Sequence, residues 1–166
     1  MDRKPFTFET LTTPQAIFDY VVTHLRKQGR PAVGGQYNGC VYRHYDPSGE
    51  VLTCAVGCLI PDDLYLPQYE GERVSGVLDK IDKHLQDNGA SMVAPRPDDF
   101  DLLRRFLSDN EKLLDALQNV HDEWAEEPDL MSLSKAERLR PLDEQLVDVA
   151  ERHGVLLPTL TQGELA

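Results

Sequence analysis

Three cysteines, Cys40, Cys54 and Cys58, and the adjacent pair His121-Asp122 have the most chemical reach in this chain. A thiol nucleophile needs a base within hydrogen-bond reach and a third group to orient that base. Cys54 with His121 and Asp122, or with Asn119 as the orienting group, supplies those types and would make a thiol-dependent hydrolase or transferase. Two features oppose it. His121 and Asp122 are neighbours on a helix and point about 100° apart, so Asp122 is poorly placed to hold the imidazole. Cys54 lies in a strand-like run, away from any helix N-terminus whose dipole would lower its pKa. The competing reading is three core cysteines and a hydrogen-bonded core histidine, because His121 shares a helical stripe with Leu117 and Trp124. Cys54, His121 and Asp122 are therefore catalytic candidates only, and the balance leans away from an enzyme.

Metal chemistry finds less support. Cys40, Cys54, Cys58 and one histidine would form a Cys3His zinc set, but no Cys-x-x-Cys knuckle is present. On an extended strand Cys54 and Cys58 would sit about 13 Å apart. His84, His121-Asp122 and Asp148 have the residue types of a metal-dependent phosphohydrolase, yet a His-Asp dipeptide arises easily by chance in so aspartate-rich a chain. Asp62, Asp63, Glu70 and Glu72 can hold a divalent cation, but capping and solvation explain them equally well. Gly34-Gly35 lacks the lysine and helix of a phosphate loop. No metal and no cofactor is expected.

Charge narrows the partners. The 166 residues carry a net charge of −12. Residues 98–166 hold 17 acidic and 7 basic side chains, and residues 98–129 alone hold 11 acidic and 3 basic. Phosphate backbones and anionic lipids are bound by clustered Lys and Arg, so neither nucleic acid nor membrane is expected as a direct partner. A protein with a basic surface fits, and Asp115, Glu123 and Glu126 are the binding candidates. The alternative is a solubilising surface with no partner. No apolar run approaches the ~18 residues of a membrane span, and the N-terminal stretch does not read as a signal peptide. The expected location is the cytoplasm.

The elements that must position these groups follow from local pattern. Thr13 and Pro14 open a helix whose apolar face is Ile17, Val21 and Leu25, with Gly29 ending it. Residues 32–39 read as a glycine-rich loop. Cys40 to Tyr45, the turn Asp46-Pro47-Ser48-Gly49, and Val51 to Ile60 predict a β-hairpin, stopped by Pro61. With Gly49 as a bulge residue, Asp46 faces Glu50, Tyr42 faces Cys54, Cys40 faces Val56 and Asn38 faces Cys58. All three cysteines would then share one face, whereas a one-residue slip would separate Cys40.

After an irregular connector over 62–73, helices are expected from near Ser75 to Gln86, as a short segment capped by Asp98, and from Ser108 or Asp109 to Pro128. A final helix is expected around Pro141 to His153, with Ser134 to Arg140 as its first part across a kink or break at Pro141. The fold class is α+β: an antiparallel hairpin packed against about five helices. Residues 1–154 form one domain, and 155–166 an extended or frayed tail.

The run Cys40-x-Tyr42-Arg43, then Cys54-Ala55-Val56-Gly57-Cys58-Leu59-Ile60-Pro61-Asp62-x-x-Tyr65, then Glu70-Gly71 resembles a family of small tailed-phage and bacterial proteins with no established activity. Leu117-Gln118-x-x-His121-Asp122 and Ala150-Glu151-Arg152-His153-Gly154 resemble its C-terminal half. The match covers residues 38–75 and short pieces beyond. The resemblance implies a mobile-element or bacterial accessory protein and assigns no catalytic residue. The expectation is a small acidic interaction protein that binds and modulates a cellular protein. A small-ligand pocket beside the glycine-rich loop and Tyr37 is the third alternative, after the thiol enzyme.

Overall fold

A computed structural model describes residues 3–34, 39–88 and 95–166. In chain order its elements are α1 (Thr7–Thr10), α2 (Pro14–Gln28), β1 (Val33–Gly34), β2 (Gly39–Cys40), β3 (Arg43–Tyr45), β4 (Val51–Thr53), α3 (Val74–Asn88), α4 (Pro97–Asp109), α5 (Glu111–Ala125), α6 (Lys135–His153) and α7 (Gln162–Leu165), with short 3-10 turns between β4 and α3 and between α5 and α6. The fold is α+β, with small antiparallel strand pairs packed on five long helices. Asn38 and Tyr37, named above as a strand residue and a pocket residue, lie outside the described residues.

Helix α2 forms as its sequence predicts. The Thr13 hydroxyl accepts the N–H of Ala16 at 3.1 Å, Pro14 takes the first helical position, and Gly29 closes the end at φ 69°. Ile17, Phe18, Val21, Val22 and Leu25 are buried with Arg26. The last carbonyls of this helix have no intrahelical donor. Side chains of α6 supply two: Lys135 Nζ donates to Lys27 O at 3.1 Å, and Arg138 Nε to Gly29 O at 2.8 Å.

The hairpin has the register expected from its turn. Arg43 pairs with Thr53, His44 with Leu52 and Tyr45 with Val51. The N–H of Asp46 donates to Glu50 O at 2.9 Å, that of Cys54 to Tyr42 O at 3.4 Å, and Gly49 takes φ 89°. Its edges are closed by side chains. The Gln28 amide accepts from Thr53 N–H and donates to Thr53 O, both at 3.0 Å, as a neighbouring strand would. The Glu70 carboxylate accepts the N–H groups of Tyr42 and Arg43 at 2.8 and 3.2 Å.

The return strand, expected to run to Ile60, stops at Thr53. From Cys54 the chain coils: Cys58 N–H donates to Cys54 O at 3.1 Å, and Gly57–Leu59 forms a 3-10 turn. An apolar run buried on every side has no period that separates strand from helical turn. Gly57 decides it, because the turn presses against the hairpin and a Cβ there would overlap the carbonyl oxygen of Tyr42. Cys40 therefore does not face Val56. It pairs with Val33 in a second two-stranded ladder, β1–β2.

Three further expectations are corrected. Helix α4 is 13 residues long and starts at Pro97; Asp99, rather than Asp98, reaches back to a backbone N–H, that of Arg96 at 3.1 Å. Helix α6 runs unbroken through Pro141, with buried Leu139 and Leu142 on either side. The C-terminal segment, expected to be extended or frayed, has no helix or strand over 155–161 but is tied down. Gln15 and Leu156 exchange two hydrogen bonds of 2.8 Å, Val155 is buried, and α7 packs on α2. Among the described residues no helix is long and apolar enough to cross a membrane.

Candidate functional site

The sulfur that meets His121 and Asp122 is that of Cys40. One ligand atom from each of Cys40, His121 and Asp122 falls within 4.8 Å of the other two. Helix α5 supplies the pair, and β2 lies against α5 and brings the thiol. Cys40 and Asp122, but not His121, line a cleft of about 230 Å³ together with Tyr42, Arg73, Asp115, Gln118 and Asn119. Cys54 is buried beneath the hairpin, where its sulfur accepts the N–H of Gly57 at 3.2 Å. The Cys58 thiol donates to Ala55 O at 3.2 Å.

Asp122 does orient His121, contrary to the helical-angle argument. His121 Nδ1 lies 3.2 Å from Asp122 Oδ1. Nδ1 is the ring nitrogen next to the backbone, so a short carboxylate on the following residue can curl back to it. The other nitrogen, Nε2, accepts the N–H of Ala32 at 3.0 Å. A neutral imidazole has one donor and one acceptor. The Ala32 bond fixes Nε2 as the acceptor, so the proton sits on Nδ1 and is donated to Asp122. Both ring nitrogens are thus engaged, and His121 is fully buried.

This tautomer decides what the cluster can do. A base would need a free ring lone pair, and the only one is held by Ala32. A metal ion between Cys40 and Asp122 would need the Nδ1 lone pair, which moves the proton onto Nε2, where the Ala32 N–H already points. The residues therefore do not fit a metal centre in this arrangement. The thiols are also poor nucleophiles. Burial, with Asp122 second, pushes the Cys40 thiol up to about 12. Burial likewise pushes Cys54 up to about 12 and Cys58 well above the usual thiol value. Burial also opposes ionisation of Asp122. Hydrogen bonds from His121, from Cys40 and from the Gln118 amide at 2.7 Å outweigh it and hold the carboxyl below its ordinary range.

The motif residues interlock around the hairpin. Arg43, with its guanidinium pairing with Asp62, donating to Ile60 O at 3.0 Å and lying 4.6 Å from the centre of the Tyr65 ring, joins β3 to the connector. Tyr65 Oη donates to Glu70 at 2.7 Å, and Tyr42 Oη to Glu72 O at 2.8 Å. Three of the four connector acids are thereby absorbed, Asp62 by Arg43, Glu70 by the hairpin, and Glu72 by Lys80 at 3.3 Å, while Asp63 is exposed. The remaining phosphohydrolase types lie elsewhere, with the His84 ring packed at a tilt 4.3 Å from the Phe100 ring between α3 and α4, and Asp148 on α6.

Asp115, Glu123 and Glu126 stand on one flank of α5, Glu123 and Glu126 exposed and Asp115 half-buried. Among the described residues none of the three has a cation within ion-pair distance. Asp115, Asn119 and Glu123 line a groove of about 460 Å³ between α5 and α6.

Two anchoring residues escaped the sequence reading. Arg26 is 1% exposed and joins α2 to Asp143 at 2.9 Å and to Pro158 O at 2.7 Å. Its spacing of four from buried Val22 was the visible signal. Gln28 as a surrogate strand had none. Comparison with family models, with characterised proteins and with solved structures finds no match to this chain.

Proposed function

We propose that this chain is a small acidic interaction protein of the cytoplasm that binds and modulates a cellular protein through the outer flank of α5. The observation behind the reading is the set of three carboxylates, Asp115, Glu123 and Glu126, that have no ion pair among the described residues; Asp115 lines both clefts and Glu123 one of them. Acids such as Asp46, Asp62, Asp82, Asp101 and Asp143 are held by arginines. Lys112 and Arg152 line the groove between α5 and α6 without an ion pair to these three acids among the described residues. Acidic charge not held in ion pairs raises the encounter rate with a basic surface and selects against acidic ones. Cys54, buried and away from a free base, gives the thiol-enzyme alternative no comparable support. A phage or mobile-element setting rests on the motif resemblance alone.

Affinity capture with the wild-type chain and with a triple variant, Asp115→Lys, Glu123→Lys and Glu126→Lys, tests the reading. A basic protein retained by the wild type, released by added salt and lost in the folded variant is the expected result. Equal retention by the variant would return the charge to a solubilising role.

A further inference from the structure

The chain displays a second surface feature just beyond the acidic flank of α5. A groove of about 570 Å³ opens between the hairpin and the segment that follows α5. Much of its wall is carbon, from Pro31, Val33, Leu52, Ala125, Leu130 and Met131. Two of the large apolar side chains that the protein leaves in solvent lie here, Val33 at 37% and Met131 at 59% exposure. Asp129, at φ 56°, turns the chain so that Leu130 is buried while Met131 stands out.

The rim is acidic in effect. Its arginine, Arg30, is already engaged by Asp46 at 2.9 Å and Glu50 at 2.7 Å. Glu127 and Asp129 are exposed and, among the described residues, have no cation within ion-pair distance. Glu126 continues the same charge onto α5. An apolar wall inside a negative rim matches one occupant, an apolar side chain flanked by lysine or arginine. An acidic segment is repelled, and a purely polar one leaves the apolar wall in water.

We propose that this groove is the anchor point for the basic partner, taking a leucine-, methionine- or phenylalanine-like side chain from a segment that also carries cations. The proposal rests on the acidic-face reading above and adds what that reading lacks. Exposed charge steers an encounter, whereas buried apolar anchors set how long a complex lasts. A cavity of this size is within the range that encloses such an anchor.

The test uses the full chain and two synthetic peptides of equal charge, one alternating lysine with leucine and one with serine in place of every leucine. Titration with methyl-resolved NMR is expected to show the leucine peptide binding about tenfold more tightly, with shifts at Val33, Leu130 and Met131. Met131→Asp, at an exposed position, is expected to abolish that preference while keeping the salt-sensitive binding both peptides share. Leu156→Asp, on another exposed surface, is expected to change neither. Equal affinity for the two peptides, or shifts confined to the neighbours of Asp115, Glu123 and Glu126, overturns the groove and leaves the acidic face standing. Groove shifts that survive both high salt and the triple reversal overturn the acidic face and support the groove. No binding by either peptide overturns both.

Discussion

The backbone N–H of Ala32 donates to Nε2 of His121 across 3.0 Å, fastening the strand β1 side of the molecule to the buried face of α5. With Nδ1 held by Asp122 at 3.2 Å, the ring is a structural connector with both nitrogens spent. Replacing it by alanine leaves a buried N–H without a partner and opens a cavity. His121→Ala is expected to cost about 2–4 kcal/mol in urea unfolding. A change below about 0.5 kcal/mol, the size usual for surface substitutions, would show that the bond is not holding β1 in place.

Gly57 is required for close approach, not for backbone freedom. A methyl group there would overlap the carbonyl oxygen of Tyr42, so the turn would have to lift away from the hairpin. Gly57→Ala is expected to destabilise by about 1–3 kcal/mol. Gly163→Ala is its contrast, since the added methyl meets only the Thr161 hydroxyl at 3.9 Å and alanine favours helix. Thermal unfolding of the two variants side by side checks the difference, and equal melting temperatures would remove the packing argument.

Local rules made much of this legible in advance. Thr13, Pro14 and Gly29 bound α2, and Asp46 to Gly49 set the hairpin register, because capping and turn chemistry act within a few residues. The end of β4 was not legible, since Cys54 to Ile60 is buried apart from half-buried Cys58 and carries no period. Asp122 reaching His121 depended on side-chain torsions that helical angles ignore. That Cys40, not Cys54, meets this pair followed from the β1–β2 ladder, a long-range pairing that the run itself does not encode.

Alkylation reads the thiols directly. Thiolate, not thiol, reacts, and the Cys40 and Cys54 thiols are pushed up to about 12, chiefly by burial. Cys58 is raised as well and donates its proton to Ala55 O. Native protein treated with iodoacetamide near the ordinary thiol pKa, about 8.5, should be labelled slowly, and the unfolded chain should expose three reactive groups. Rapid, complete labelling of the native protein is incompatible with this arrangement. Labelling of Cys40 ahead of Cys54 would match their half-buried and buried positions.

The C-terminal segment should answer to acid through Glu164. Its carboxyl is 4% exposed and accepts the N–H and hydroxyl of Thr161 at 2.7 Å, with Arg26 at 3.9 Å. Burial opposes its ionisation, but those hydrogen bonds and the arginine outweigh burial and hold the carboxyl below the ordinary glutamate range. A carboxyl depressed in the folded state stabilises the fold above its unfolded pKa, about 4.3, and that contribution disappears as pH falls through the lower folded value. Hydrogen exchange of residues 155–166 should therefore be slow near neutral pH. Relative to the rest of the chain, it should rise as the pH drops below about 4. Glu164→Gln should flatten that response while leaving the Asp122 contribution, which titrates in the same direction, in place. Arg26→Met should release the segment at every pH, because it strips Asp143 and Glu164 of their shared cation at a cost of about 3 kcal/mol. Protection of 155–166 that is unchanged by acid in the wild type, or identical in the Glu164→Gln variant, would mean that Gln15 and the apolar contacts of Val155 hold the segment without the ionic cluster.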